Sequence, residues 1–346
     1  MSREKSFVLL RTIVSMGIAM LVAFFVILLV SDTPIESFRI FVLGPFTKTR
    51  YMGDIVNAAI PLIFSGLSMA VVFQASQFNM GAEGIFYFSG IMISFVAIWG
   101  NFPSGIHQII IMIVGAIVGI LIMLVPGVMK AKFGASELVS SLMMNSILLG
   151  IGSYIMSRFL QDPMASNGSY LYQTTALLPV LAGKSKIHAG LFIALACVLF
   201  TYIFLYRTKW GYEIRMVSRN QRFAEYSGIN AVKVIIIAHV VAGALAGIGG
   251  AVECTAMHSR FEWSSLPGYG FNGALIAMLA NNNPVSVIFA ALFVAYLNTG
   301  ADIVARRSDV PTEMVVILQS LIILLMASER FLHSFKQRWI ERGIEH

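Results

Sequence analysis

Six acidic side chains lie within or beside apolar stretches of this sequence: Asp54, Glu83, Glu137, Glu253, Asp302 and Glu313. A carboxylate is costly inside hydrocarbon, so each of them is a candidate for handling a proton, an ion or a solute. Glu83 follows Asn79 in a turn between two apolar stretches, and Glu253 comes at the end of a glycine-rich one. The structural alternative is that such a carboxylate caps a backbone amide, reaches a helix end or meets interfacial water.

Polar uncharged side chains are more numerous in the apolar stretches than acidic ones. A path for a neutral, hydroxyl-rich solute needs hydrogen-bond donors and acceptors of this kind. Hydrogen bonding between helices explains them equally well. We predict that a transport path is lined by Gln74, Asn79, Glu83, Asn145, Glu253 and Asn272.

The sequence carries no motif of a hydrolase, protease or nucleotide-binding enzyme. The string from Ala182 to Ser185 ends like a phosphate-binding loop, but the glycine required five residues before Gly183 is Leu178. The two cysteines, Cys197 and Cys254, form no CxxC pair. We therefore predict that this chain is not an enzyme, holds no metal and binds no cofactor itself, so that any ATP and Mg²⁺ belong to another subunit.

The composition points to a lipid environment. Of the 346 residues, 58% are hydrophobic and only 12% are charged, whereas soluble domains are nearer half apolar and a quarter charged. Buried in a bilayer, such a chain does not need polar surface. The net charge of +7 is typical of basic cytoplasmic loops, and we expect contact with membrane lipid and none with nucleic acid.

Ten apolar stretches are candidate membrane spans, which predicts an all-α, polytopic helical bundle that forms a single transmembrane domain over residues 1–346. The third and eighth are too short to cross comfortably and are flanked by glycine and asparagine, as broken helices near the centre of a transport path often are. A boundary error of a few residues would explain their length as well. The ten stretches are Thr12–Val30, Ile55–Phe73, Ile85–Trp99, Gln108–Met129, Leu138–Phe159, Ala189–Tyr206, Val234–Val252, Gly270–Ala280, Val285–Val304 and Met314–Ser328.

Two pairs of glycines four residues apart, Gly115 with Gly119 and Gly243 with Gly247, lie in the fourth and seventh stretches. Small residues at this spacing let helix backbones approach closely. They predict tight helix packing rather than chemistry.

The distribution of lysine and arginine sets the expected orientation. With both termini cytoplasmic, 15 of the 24 basic residues lie inside and nine lie outside. Arg306 and Arg307 are the main exceptions. This orientation places a polar loop, about 161–188, outside the cell and a basic loop, about 207–233, inside. The inner loop is the largest cytoplasmic connection, and Gly211 and Gly228 at its ends can punctuate helices.

Four segments in register resemble the permease subunits of bacterial ATP-binding-cassette importers in the branched-chain amino acid, ribose and nucleoside superfamily. They are 58–84, 134–147, 211–234 and 268–287. The resemblance is strongest to the nucleoside and simple-sugar branch, where the second span leads into an Asn-Ile-Gly-x-Glu-Gly turn. Here that turn runs from Asn79 to Gly84 as NMGAEG.

The resemblance implies a bacterial inner-membrane importer that works by alternating access. Its partners would be an ATPase subunit, a second permease (a paralogue or another copy) and an extracytoplasmic substrate-binding lipoprotein of the basic membrane protein type. The inner loop would be the element that couples to the ATPase. Its predicted coupling residues are Tyr212, Glu213, Arg215, Arg219, Asn220, Arg222, Tyr226 and Gly228.

The sequence departs from the family pattern in two places. The inner loop usually reads close to Arg-Ala-Val-Gly-x-Asn-Pro, but from Arg215 to Gln221 it reads RMVSRNQ. Asn272 replaces a usual aspartate, and Ala280-Asn281 replaces Gly-Arg. These changes leave the identity of the substrate undetermined. The leading hypothesis is a nucleoside or related purine or sugar compound, and the alternative is a simple sugar or a branched-chain amino acid. A stand-alone secondary carrier is a further alternative, which the missing midspan basic partners for the acidic residues argue against.

Overall fold

The computed structural model describes residues 17, 20–22, 24–28, 31–165, 168–181, 183, 185–311, 314 and 317. Within that part of the chain the regular structure is helical, and the β-type pairing is limited to two isolated bridges, Gln161 with Ser169 and Val180 with His188. The all-α class predicted from the sequence is therefore confirmed for these residues.

The helices are numbered here in chain order. A 3₁₀ turn, Gly44–Phe46, follows the first helix, and a π-helical turn, Met156–Leu160, continues the fifth. The helices are α1 (Pro34–Leu43), α2 (Thr49–Gln74), α3 (Ala82–Trp99), α4 (Ile106–Phe133), α5 (Glu137–Ile155), α6 (Gly190–Arg207), α7 (Lys209–Arg219), α8 (Gln221–Tyr226), α9 (Ala231–Met257), α10 (Tyr269–Leu279) and α11 (Pro284–Arg307).

Seven of these helices are long and apolar enough to cross a membrane: α2, α3, α4, α5 with its π turn, α6, α9 and α11. They coincide with seven of the predicted stretches, and α10 coincides with the short eighth one. About half of the first stretch and nearly all of the tenth lie outside the described residues, so the count of about ten stays a prediction. Helix α1 was not predicted, because ten residues containing Glu36 and Arg39 do not resemble a span.

The described chain divides into two compact units, one made of the residues up to Met52 and from Tyr296 onward, the other of Gly53–Ala295. In the first unit, the Tyr296 hydroxyl donates a hydrogen bond to the carbonyl of Val42 at 2.7 Å, and Ser31 Oγ donates to Asp309 Oδ1 at 2.7 Å. These bonds tie α1 and its preceding turn to α11. The prediction of one permease domain over the whole chain stays a prediction.

In the second unit, α4 and α9 pack through their paired glycines. A Cβ atom added to Gly119 would lie 2.0 Å from the carbonyl oxygen of Gly243, and one added to Gly247 would lie 2.0 Å from that of Gly115. No residue larger than glycine fits at this separation without moving a backbone. The tight packing predicted from the two glycine pairs is confirmed.

The outer loop of the sequence prediction is an ordered cap on the ends of α3 and α4. The backbone N–H of Gln173 donates to the carbonyl of Ala97 at 2.9 Å, and Gln108 Nε2 donates to the carbonyl of Leu177 at 2.6 Å. Tyr172 is buried, with its hydroxyl 2.8 Å from Ser94 Oγ. Side chains thus fix the path of a loop that has almost no regular structure.

Candidate transport site

The chain leaves α2 in a turn and has no regular secondary structure from Gln77 to Met80 before α3 begins at Ala82. This segment, residues 77–81, is largely enclosed: Asn79 is fully buried and Met80 nearly so. Its peptide groups lack the partners that a helix supplies and must find others, since unpaired buried groups are costly. Asn79 satisfies one of them, because its Oδ1 accepts the N–H of Gly81 at 2.7 Å.

One face of α5 supplies the other partners. Glu137, Ser141 and Asn145 are spaced four residues apart and therefore share a face of the helix. Glu137 Oε1 accepts the N–H of Phe78 at 3.2 Å, and Ser141 Oγ accepts the N–H of Met80 at 3.0 Å.

Asn145 completes this face by hydrogen-bonding to the backbone of Met80, in the unwound segment, and of Gly84, at the start of α3. Its Nδ2 donates to the carbonyl of Met80, and its Oδ1 accepts the N–H of Gly84, both at 3.0 Å. The unwound segment is therefore held in one conformation by side chains of a neighbouring helix.

Glu83 joins the start of α3 to the start of α10. Its two carboxylate oxygens accept the N–H groups of Gly268 and Gly270, both at 2.5 Å. The N-terminus of a helix carries partial positive charge and unpaired N–H groups, so it stabilises an anion there. Gly270 is needed for this approach, because a Cβ atom at that position would lie 2.7 Å from Glu83 Cβ. The carboxylate caps backbone amides, which is the structural alternative given above.

Helix α10 is shorter than a full span, and α3 is at the lower limit of one. The 11 residues of α10 extend about 16 Å and the 18 residues of α3 about 27 Å, against a hydrocarbon thickness of about 30 Å. A short helix and an unwound segment that meet at one carboxylate are similar to the arrangement in which broken helices line a transport path.

Glu253 is linked to the same helix start through Tyr269. The Tyr269 hydroxyl donates to Glu253 Oε1 at 2.9 Å, while Glu253 Oε2 is buried and has no hydrogen-bond partner among the described residues. Helix α9 continues to Met257, so Glu253 lies inside the helix rather than at its end. The rings of Phe86 and Trp263 flank Tyr269, with centroids 5.0 and 6.3 Å away.

Other buried polar atoms around this region also lack partners in the described part of the chain. They include Asn79 Nδ2 and Gln77 Oε1. Buried polar groups are nearly always hydrogen-bonded, so each unpaired one needs an explanation such as water or a ligand. These atoms offer both a donor and acceptors, and the amides among them carry no net charge.

The structure brings together four of the six predicted path residues: Asn79, Glu83, Asn145 and Glu253. Gln74 lies elsewhere, where its Nε2 donates to the carbonyl of Asn282 at 3.2 Å beyond the other end of α10. Asn272 lies in the first turn of α10, and its partly exposed side chain makes no hydrogen bond with any described residue. Which of the six touch a solute stays a prediction.

Ser141 and Tyr269 belong to this site but were not predicted to line it. The spacing of Ser141 between Glu137 and Asn145 is a signal that the sequence does contain. Nothing in the sequence, by contrast, connects Tyr269 with Glu253 or Gly268 with Glu83, which are 185 positions apart. Among the described residues no group of three or more histidines, cysteines or carboxylates is placed to hold a metal ion.

The inner loop forms α7 and α8, joined at Asn220, whose Oδ1 caps α8 by accepting the N–H of Phe223 at 3.0 Å. Gly228 ends this part of the loop with φ of 80°, a left-handed conformation that glycine adopts without cost. Exposed aromatic and arginine side chains cover the surface of the pair: Tyr212, Arg219, Arg222, Phe223 and Tyr226.

Two of the predicted coupling residues face the protein instead. Arg215 lies over the ring of Tyr206, with 5.3 Å between the guanidinium carbon and the ring centroid. Glu213 is only 13% exposed and lies 3.7 Å from Lys209 Nζ. Phe223, which is 56% exposed, extends the surface although it was not among the predicted coupling residues.

Comparison with known proteins gives consistent matches over most of the chain. A family model described as branched-chain amino acid transport system / permease component matches residues 51–327. The guanosine ABC transporter permease protein NupP of Bacillus subtilis (strain 168) is 31% identical over 293 residues, which cover 82% of this chain and 83% of that protein.

Two further relatives are similar over comparable lengths. The nucleoside ABC transporter permease protein NupB of Lactococcus lactis subsp. cremoris (strain MG1363) is 29% identical, with 85% of this chain and 84% of that protein covered. The glucose ABC transporter permease protein TsgB13 of Haloferax volcanii is 28% identical, with 88% of this chain and 83% of that protein covered.

Proposed function

The chain belongs to the family of branched-chain amino acid transport system permease components, and from this premise we propose that it moves a nucleoside, or a related purine or sugar compound, into the cell. It is a multi-pass membrane permease subunit of an ATP-binding-cassette importer and a transport component rather than an enzyme. The family implies a bacterial inner membrane, an ATPase partner and a permease partner. The cytoplasmic position of both termini is part of the proposal.

The observation that carries the transport site is that Glu83, just after the unwound segment 77–81, binds the start of the short helix α10. Helices that begin within the bilayer leave backbone and polar side chains where a solute can reach them. Asn79 Nδ2 and Gln77 Oε1 add unpaired, uncharged groups beside this meeting point. Such groups suit a neutral solute rich in hydroxyl and ring-nitrogen atoms, because they hydrogen-bond without requiring a counter-charge.

A nucleoside is preferred over the alternatives because NupP and NupB are named for guanosine and nucleoside transport. A simple sugar is the second candidate, supported by the glucose permease TsgB13. Both solute classes carry a hydroxylated ring, which the uncharged donors and acceptors suit. A branched-chain amino acid is less suited, since its carboxylate would need a basic partner and none of the six predicted path residues is basic.

We assign coupling with the ATPase to the exposed surface of α7 and α8. Exposed aromatic side chains beside arginines are typical of protein interfaces, and Tyr226 is 92% exposed. A helix pair that leaves the membrane on one side of the chain can transfer the movement of a soluble partner to the spans. ATP and Mg²⁺ would be bound by that partner, and an extracytoplasmic lipoprotein would deliver the solute to the other side.

The proposed cycle follows from these contacts. Solute enters between the permeases near Glu83 while the inner end is closed. ATP-driven closure of the ATPase pair moves α7 and α8, and the permeases rock so that the path opens on the other side. Side chains of this chain orient the solute and keep the broken helix ends hydrogen-bonded, and the chemistry of ATP hydrolysis takes place on the ATPase.

The test is solute uptake by the complete transporter in proteoliposomes with its binding protein. Radiolabelled guanosine, glucose and leucine are compared with ATP inside or absent. We expect ATP-dependent uptake of guanosine that excess adenosine competes away and leucine does not. Uptake of glucose but not guanosine would replace the nucleoside with a sugar, and ATP-independent uptake would contradict the importer itself.

A further inference from the structure

The last turn of α7 contacts the end of α2. Ser76 Oγ donates to the carbonyl of Ser218 at 3.1 Å, and the two Oγ atoms lie 2.6 Å apart, so that Ser218 Oγ donates to Ser76 Oγ. Ser218 lies one residue before Arg219, on the helix whose outer surface we assign to the ATPase. Ser76 comes immediately before the unwound segment 77–81.

The backbone of Ser76 adopts a conformation that serine rarely takes. Its φ is 54°, in the left-handed region. The N–H of Ser76 donates to Phe73 and that of Gln77 donates to Val72, which is the pattern of a Schellman helix end. Glycine is the usual residue at this position. Serine is strained there, and what it has that glycine lacks is the hydroxyl that bonds Ser218.

The segment that follows is a short, fixed connection to the transport site. Six residues separate Ser76 from Glu83, and α5 holds the backbone between them through Glu137, Ser141 and Asn145. Glu83 in turn holds the start of α10. The Ser76–Ser218 bonds are exposed, but the bonds to Met80 and Gly84 are buried and fix the backbone that follows. A displacement of Ser76 is therefore passed along the segment rather than absorbed by it.

We propose that the Ser76–Ser218 hydrogen bonds are the positioning link through which α7 moves the unwound segment 77–81 and, through Glu83, the start of α10. This deepens the proposed function and rests on its assignment of α7 to the ATPase. Ser76 and Ser218 touch no solute in this account and act through Glu83. The route lies within residues 53–295.

Two substitutions separate the hydroxyl from the backbone conformation. Ser76→Gly relieves the left-handed strain and removes the hydroxyl, and Ser218→Ala removes the other partner. Ser218→Thr keeps a hydroxyl in place. Ser227→Ala is the matched control, since Ser227 is an exposed serine of the same loop that bonds only its own helix, through Oγ to the Phe223 carbonyl.

The first readout does not depend on knowing the solute. Asn272→Cys, in the first turn of α10, is labelled with a maleimide in the complete transporter with and without ATP and vanadate. We expect the ATP-dependent change in labelling rate to fall about two- to tenfold in Ser76→Gly and Ser218→Ala, the factor that one hydrogen bond is worth. Ser218→Thr and Ser227→Ala should keep it, and the ATPase should still co-purify and hydrolyse ATP.

A covalent link provides the second readout. The Oγ separation of 2.6 Å puts a Ser76→Cys, Ser218→Cys pair within reach of a disulfide. Oxidation joins the two thiols with loss of two electrons and two protons to copper phenanthroline and oxygen. We expect the double variant with reduced thiols to transport less guanosine per ATP hydrolysed than the unmodified transporter. Forming the disulfide should restore that ratio.

The link, the coupling assignment and the solute can each be overturned separately. Unchanged labelling response in Ser76→Gly and Ser218→Ala, or loss of transport on forming the disulfide, would overturn the link. If Arg219→Glu with Arg222→Glu leaves ATPase binding intact, the coupling assignment is overturned instead. Absence of guanosine uptake in the unmodified transporter would overturn only the solute, because the labelling readout still decides the link.

Discussion

Glu83 is a buried carboxylate with no basic partner in the described part of the chain, and its neighbours explain why it is stable there. Two N–H groups at the start of α10 bind its two oxygens, and the helix end adds a favourable potential. The acid is therefore part of the framework of the path, whether or not it also contacts solute.

Replacing Glu83 separates these roles. Glu83→Ala leaves the N–H groups of Gly268 and Gly270 unpaired, and we expect the free energy of unfolding to fall by about 1–3 kcal/mol. Glu83→Gln keeps one acceptor and should lose less. Thermal unfolding of the purified transporter measures both. If Glu83→Ala unfolds like the unmodified chain yet transports nothing, the residue contacts solute rather than holding α10.

His188, in the outer loop, gives that loop a dependence on pH. It is fully buried, neither ring nitrogen has a partner among the described residues, and burial lowers the pKa of its imidazole to about 4. His188 therefore takes up a proton at a lower pH in the folded loop than in the unfolded chain, where a histidine titrates near pH 6.5. The stabilisation is complete above about pH 6.5 and is lost as the pH falls toward 4.

We expect hydrogen-exchange protection of residues 178–189, corrected for intrinsic rates, to drop between pH 7.5 and 4.5. His188→Leu, which has no titrating group, should remove the dependence on pH. A loop that keeps its protection at pH 4.5 in the unmodified chain would contradict this account.

The helices show why some elements were predictable and others were not. Of the ten stretches predicted from apolar length, seven are spans in the described part of the chain, because lipid leaves a spanning backbone no alternative to helical hydrogen bonds. The glycines and asparagines around the third and eighth stretches were compatible with broken helices or with misplaced boundaries. Helix α3 is 18 residues, long enough to span, whereas α10 is only 11 residues long. Helix α1 has no such signature.

Helix packing offers a test with a control in the same chain. Gly119→Ala would place a Cβ atom 2.0 Å from the Gly243 carbonyl oxygen, whereas Gly150→Ala, in α5, meets nothing within 4 Å. Overpacking typically costs about 1–3 kcal/mol. We therefore expect Gly119→Ala to lower the unfolding temperature of the transporter and Gly150→Ala to leave it unchanged or raise it. Equal effects would show that α4 and α9 are not in contact.

The surface of α7 and α8 can be tested without disturbing the spans. Arg219→Glu with Arg222→Glu reverses two exposed charges, while Arg215 is spared because it packs on Tyr206. We expect the double variant to retain less ATPase on co-purification, by tenfold or more if each contact is worth about 1 kcal/mol. Lys132→Glu, an exposed charge at the end of α4, is the control and should retain it fully.

At the scale of the whole molecule, the sequence predicted the class of protein better than the assembly of its site. The turn from Asn79 to Gly84 identified one half of the site, since these residues are contiguous. The other half, from Gly268 to Tyr269, comes from a segment 185 positions later, and its contact with Glu83 depends on tertiary packing. Orientation and the side chains that touch solute remain predictions.

We propose that this permease transports its solute only together with a separate ATPase. The most direct measurement is affinity purification of the chain from native membranes in mild detergent, with mass spectrometry of its partners and ATP-driven uptake assayed after reconstitution. The account predicts recovery of an ATP-binding-cassette ATPase and a permease partner, with uptake that requires ATP. Recovery of the chain alone, with uptake driven by an ion gradient in vesicles without ATP, would contradict it.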